Sequence, residues 1–254
     1  MSGHSKWSTI KRKKGAEDAK RGKIFTRVGR DVTIAAREGG GDERSNAKLK
    51  LAIEKAKAVN MPRENIERAI KKGTGELEGG AVDEFTWEGY GTGGIAFIIE
   101  VMTDNKNRSL AEVKAVLNRN GGRMAESGSV SWQFKQQAYF EITGDNLNFD
   151  DVFMVAAEAG ADDVEEIGDE EGTISIYGPR EAFAAIETAL TDAKYNVETA
   201  ELRWFADTES EQDIDTSLSN LRLMRKLEDL DDVQSVASNL AINEEIVEAF
   251  EAEA

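Results

Sequence analysis

The sequence predicts an α+β protein. We expect an N-terminal three-helix domain followed by two α/β domains, at least one of them a ferredoxin-like βαββαβ unit, with the third domain inserted in the second. Three observations carry this. Apolar residues recur at spacings of three and four up to about Gly73, and then the period shortens to that of strands. Between Ala138 and Phe205 the alternation gives strand, helix, two strands, helix and strand, the ferredoxin-like order. The segment ahead of that unit lacks a closing helix and strand, and the tail supplies both. The expected boundaries are 1–80 for a basic helical domain and linker, 81–135 plus 206–254 for the middle α/β domain, and 136–205 for the inserted domain.

Residues 1–14 form a polar, basic arm containing Trp7 and Ile10. A first helix is expected from about Glu17 to Arg37, because Phe25, Val28, Val32 and Ala35 or Ala36 share one face. Gly39, Gly40 and Gly41 stop it. Ser45 or Asn46 caps a second helix with an apolar stripe of Leu49, Ala52, Ile53, Ala56 and Val59. Pro62 suits the first turn of a third, which buries Ile66, Ala69 and Ile70 and ends at Gly73. Strands follow at 84–90 and 95–103, then a helix at 109–118 and a strand at 130–134. The compact unit has strands at 138–143, 163–167, 173–177 and 195–205, with helices at 150–159 and 180–190. A helix at 217–230, a strand at 233–238 and a short helix at 243–250 complete the chain.

Charge is segregated along this order. Residues 1–80 carry 20 Lys and Arg against 11 Asp and Glu, a net of +9, while the remainder carries −26 of the total −17. A polyanion is drawn to the first part and repelled by the second. There is no Cys, which removes disulfides, thiolate nucleophiles and Cys-ligated metals. No apolar run approaches the roughly 20 residues that span a bilayer. The N-terminus has no apolar signal core, so we expect a cytoplasmic protein of bacterial type.

Ten basic residues crowd Lys6 to Arg30, with only Glu17 and Asp18 opposing them. Phosphate binding needs cations at close spacing, since affinity comes from counterion release. Trp7 offers a ring for an exposed base, although a packed Trp on a solvated helix would leave the same pattern. Lys48, Lys50, Lys55, Lys57, Lys71 and Lys72 extend the field, but Lys is common on any exposed helix. His4 is the only histidine, and no carboxylate lies within three residues of it, which suits hydrogen bonding better than general base chemistry. The glycines from Gly73 to Gly80 lack a Gly-Lys-Ser/Thr ending. Those at 89, 91, 93 and 94 lead into a strand, so they read as a β-turn and not a cofactor loop. Around Thr103 to Ser109 we expect a helix cap near Asn107 or Arg108-Ser109, with phosphate contact by Lys106 and Arg108 as the lesser reading. The acidic run from Asp162 to Glu171 lacks EF-hand spacing and reads as a solvated edge.

The segments Met1-Ser2-Gly3-His4-Ser5-Lys6-Trp7 and Asp18 to Phe25 resemble the N-terminal signature of the YebC family. That family includes the mitochondrial translational activator of cytochrome c oxidase subunit one. The likeness continues through Gly39 to Asp42, Asn60 to Ile70, Glu88 to Gly91, Thr103 to Arg108 and Gly128 to Val130. Thr92 stands where the family commonly has proline, and Gly29 where an apolar residue is usual. The resemblance implies a helical bundle and two α/β domains, with no catalytic site and no cofactor. It also implies either DNA-binding transcriptional regulation or ribosome-associated help with proline-rich stretches.

These readings converge on a non-enzymatic nucleic-acid-binding regulator of gene expression. Its expected partners are ribosomal RNA or DNA and the ribosome, with no membrane and no small-molecule substrate. The expected contact residues are His4, Lys6, Trp7, Lys11, Arg12, Lys13, Lys14, Lys20, Arg21, Lys23 and Arg27. A flexible basic arm with one Trp suits irregular single-stranded RNA better than duplex DNA, and no helix-turn-helix signature is evident.

Overall fold

The computed structural model describes residues 7, 21–77, 82–145, 147–167 and 172–253, with the side chains of 21–23 and 47 left aside. The chain divides into two compact units, one of residues 14–127 and 214–236, the other of residues 1–13, 128–213 and 237–254.

In the first unit, helices α1 (Arg21–Gly39), α2 (Ala47–Ala58) and α3 (Arg63–Gly73) close on a shared core. Val32, Ala35, Ala36, Leu49, Ala52, Ile53, Ala56 and Ile66 are buried in it, the faces that the helical period marks. Asn46 resolves the choice of cap. Its Oδ1 accepts from Leu49 N at 3.0 Å, while its Nδ2 donates to the carbonyls of Ala35 at 2.7 Å and Gly40 at 2.9 Å. One buried side chain thus starts α2 and ties down the end of α1. Thr33 couples α1 to α3, donating to the carbonyls of Gly29 and Ala69.

The same unit carries β1 (Asp83–Tyr90) and β2 (Ala96–Thr103), antiparallel with Asp83 opposite Thr103 and Tyr90 opposite Ala96. Gly93 and Gly94 take positive φ in the turn that joins these two strands, as expected of a turn. Gly91 is required by close approach: an added Cβ would collide with Asn220 and the ring of Phe97. Helix α4 (Lys106–Arg119), the short β3 (Arg123–Met124), α7 (Ile214–Glu228) and β8 (Val233–Ser238) complete the layer. The sheet order is β3-β1-β2-β8. The tail strand therefore lies beside β2 in one sheet.

In the second unit, the chain order is β4 (Phe134–Thr143), α5 (Phe149–Glu158), β5 (Asp163–Glu166), β6 (Thr173–Pro179), α6 (Phe183–Asp192) and β7 (Asn196–Ala206). The sheet order is β5-β6-β4-β7 with antiparallel neighbours, the ferredoxin-like arrangement. Phe140, Ile142, Ile174 and Ile176 pack with Val152, Ala156, Ile186 and Leu190 from α5 and α6. Tyr139, Tyr177 and Phe205 form a separate aromatic cluster, and Arg203 lies 3.8 Å from the centre of the Tyr139 ring. Helix α8 (Glu244–Ala252) also belongs to this unit.

Two local expectations need correction. The separate strand at 130–134 is not formed. Ser131–Gln133 make a 3₁₀ turn, and β4 runs unbroken from Phe134. The alternation of Val130, Trp132 and Phe134 imitates a strand, yet Trp132 is 74% exposed and its indole N–H donates to the Ser129 carbonyl. The cap of α4 is Asn105, two residues before the expected Asn107, accepting from Arg108 N at 3.1 Å.

Gly73 marks where α3 meets α1. A Cβ there would fall 2.8 Å from the Ala36 Cβ and closer still to the Thr33 carbonyl oxygen. The obstacle is backbone, so the helices must separate. Gly73→Ala should lower the unfolding free energy by about 1–3 kcal/mol in urea titration, despite alanine's better helix propensity.

Candidate nucleic-acid interface

The expected contacts His4, Lys6, Lys11, Arg12, Lys13, Lys14 and Lys20 lie outside the described residues. Arg21 and Lys23 have helical backbone in the first turns of α1. The structure places the other two expected residues in different roles. Trp7 is 1% exposed and meets the Phe250 ring edge-on at 5.9 Å, so the stacking role expected for it gives way to packing. Arg27 is half-buried, with its guanidinium donating to the Glu228 carbonyl.

Arg30 is also internal. It donates to the Asp231 carbonyl and to the Asp232 carboxylate. Asp232 has 4% of its side chain exposed and gathers further donors: Arg108 at 2.9 Å, the Thr103 hydroxyl at 3.0 Å and the Ser109 hydroxyl. Burial alone pushes this carboxyl upward. The hydrogen bonds from Arg108 and Ser109, the Arg30 charge and the Thr103 hydroxyl outweigh that and hold it below its ordinary value. Arg108 reaches Asp104 as well, at 3.2 Å, and Lys106 lies over the Phe85 ring at 4.7 Å. The Thr103 to Ser109 segment is therefore chiefly a cap and an anchor, with capping the expectation that holds. Sequence reasoning missed Asp232, which stands among the tail acids without a distinguishing pattern.

Positive charge stays open elsewhere. Arg37 pairs with Glu84 at 3.0 Å, Lys48 with Glu38 at 2.6 Å and Arg63 with Glu67 at 2.8 Å. Among the described residues, Lys50, Lys55, Lys57, Arg68, Lys71 and Lys72 on α2 and α3 enter no ion pair. An exposed pair is worth little, and a phosphate can compete for such a cation, whereas an arginine held by a buried carboxylate is costly to withdraw.

A groove of about 400 Å³ opens between α1 and α3. Phe25, Met61 and Val82 give it apolar walls, Asn65, Arg68 and Lys72 a polar stripe along α3, and Gly29 a bare stretch of helix. Asn65, Arg68 and Lys72 follow one helical face, a signal that the sequence carries and that the denser charge of the arm overshadows. Gly29 has no steric reason to be glycine: the nearest atom to an added Cβ is Met61 Cε at 3.9 Å. A glycine inside a helix costs about 0.5–1 kcal/mol relative to alanine.

The comparisons with known proteins agree along the chain. Residues 5–76 match the family described as the TACO1/YebC protein N-terminal domain, and residues 82–240 match the TACO1/YebC second and third domain. A probable transcriptional regulatory protein of Chlorobium phaeobacteroides is 45% identical over 251 residues, covering 99% of this chain and 100% of the relative. One from Chloroflexus aggregans is 48% identical over 254 residues, with the same coverages of 99% and 100%. The crystal structure of a conserved hypothetical protein, Aq1575, from Aquifex aeolicus is similar at TM-score 0.80 and 38% identity, covering 89% of this chain and 93% of that one. No helix among the described residues is long and apolar enough to cross a membrane.

The Asp232 cluster generates a prediction with a defined sign. Its carboxyl titrates lower folded than unfolded, so its stabilisation is complete above about pH 4 and is lost as pH falls through the depressed folded value. Asp232→Asn should cost about 3 kcal/mol near neutrality. In denaturation series at stepped pH, the gap between variant and parent should narrow only below about pH 4.

Proposed function

This chain belongs to the TACO1/YebC family, and we propose that it is a non-enzymatic nucleic-acid-binding regulator of gene expression, working as a ribosome-associated translation factor that eases synthesis of proline-rich stretches. The observation that carries the nucleic-acid reading is the set of cations on α2 and α3 that enter no ion pair among the described residues, within residues 1–80, whose net charge is +9. The arm residues His4, Lys6, Lys11 to Lys14 and Lys20, with Arg21 and Lys23, extend that field. Arg27 supports it from inside the fold, while Trp7 packs on Phe250. The family resemblance supplies the ribosome and the proline-rich stretches, and an irregular single-stranded target suits a scattered Lys field better than a groove reader does.

A DNA-binding transcriptional regulator is the alternative, and two observations favour it. The relatives are named probable transcriptional regulatory proteins. Helices α2 and α3 are joined by only the four residues 59–62, a connection length found in helix-turn-helix units. Sedimentation with large ribosomal subunits, before and after nuclease, separates the two. Protein that stays at the top of the gradient yet footprints a defined promoter would decide for DNA.

Two substitutions test the shared premise. Exchanging Lys11, Arg12, Lys13 and Lys14 together for Glu should abolish binding, whereas a scaffold acting through its acidic domains would be unaffected. Lys50→Gln, Lys57→Gln and Lys71→Gln combined should lower the log–log salt slope for single-stranded RNA by roughly 2, at about 0.7 for each phosphate no longer neutralised. An unchanged slope would remove these lysines from the interface.

A further inference from the structure

We propose that the groove between α1 and α3 seats one unstacked nucleotide of single-stranded RNA, its base against Phe25, Met61 and the bare backbone at Gly29, its phosphate at Arg68 and Lys72. This deepens the nucleic-acid reading and rests on it. Three features of the groove point to this occupant. Its apolar walls lie beside two cations that enter no ion pair among the described residues, the combination that a flat base joined to a phosphate requires. Asn65 is half-buried on the same stripe, and its amide makes no hydrogen bond among the described residues. An amide both donates and accepts, which suits the edge of a base. Gly29 sits in a helix interior where packing does not demand glycine, so the effect of its missing side chain is to keep the groove open.

A duplex keeps its bases stacked and paired, and cannot offer one to such a groove without first opening. The seat therefore selects single strands. RNA in place of DNA is the commitment here because Asp104, which lines the groove and engages Arg108 through Oδ1, has a second carboxylate oxygen that can accept a hydrogen bond from a ribose 2′-hydroxyl.

The test uses the full chain and fluorescein-labelled twelve-nucleotide single-stranded RNA of mixed sequence, with the matching DNA strand and duplex, read by anisotropy across a salt series. Gly29→Leu fills the groove while leaving every cation in place. It should weaken RNA binding about tenfold with an unchanged salt slope and an undiminished Tm. Gly29→Ala has room for its methyl and serves as the folding control. Arg68→Gln with Lys72→Gln should reduce the slope by roughly 0.7, the value for one phosphate no longer neutralised. Wild-type affinity in Gly29→Leu would overturn the pocket while leaving the nucleic-acid reading standing. Absence of binding by the parent chain would instead defeat that reading and the pocket with it. Equal affinity for the DNA strand would overturn the assignment to RNA, and tighter binding of the duplex would overturn the seat for an unstacked base.

Discussion

The buried carboxylate of Asp232 ties α1 and α4 to the strand layer of the first compact unit. Asp232 stands just ahead of β8 and is reached by Arg30 from α1, Arg108 from α4, and the hydroxyls of Thr103 and Ser109. The carboxylate would be costly to bury alone, and these donors satisfy it, Arg108 from a half-exposed position. The charge on Asp232 is thus tied to the position of α1. The Arg27 guanidinium adds a second clip one turn earlier along α1, on the Glu228 carbonyl. What fixes α1 against this layer is polar and directional, where a hydrophobic face alone would tolerate sliding.

The arginines of α1 cannot serve two masters. A guanidinium that completes a buried carboxylate's shell is not free to neutralise phosphate, and its removal would leave that carboxylate uncompensated. The basic character of the N-terminal half therefore has two uses. On α1 it holds the unit together, through Arg27, Arg30 and Arg37. On α2 and α3, Lys50, Lys55, Lys57, Arg68, Lys71 and Lys72 enter no ion pair among the described residues. Composition counts the two kinds of cation alike, and only the position of their acceptors separates them. This division also restricts where a polyanion can lie, because residues 81–254 repel it with a net charge of −26.

What the sequence made legible was what short-range chemistry decides. Ser45 and Asn46 both read as caps beside an apolar stripe, and Asn46 is the one that caps. The order of strands and helices from Ala138 to Phe205 was readable because each element buries one face at its own period. Where two structures satisfy one pattern, the reading failed: Val130, Trp132 and Phe134 alternate like a strand, but a 3₁₀ turn exposes the Trp. The site was less legible still. Asp232 meets partners 124 and 202 residues away, and no local spacing records that. Trp7 was equally undetermined, since a stacking ring and a core ring look alike until Phe250 is found beside it.

Two glycines on the facing helices α1 and α3 show how far packing alone explains this region. Gly73 lets the backbones of α1 and α3 approach, and the contact it permits offsets the cost of a flexible residue there. Gly29 carries the same cost in the same pair of helices, with nearly 4 Å of clearance around the missing Cβ. A residue that weakens a helix without serving its packing is a local inconsistency, and such inconsistencies concentrate where a surface has another task. The groove beside Gly29 is bounded by Arg68 and Lys72, neither of them in an ion pair among the described residues, whereas the close approach at Gly73 leaves no room for a ligand. The compensation for Gly29 is therefore to be sought outside the fold's own stability, in what the open groove can hold.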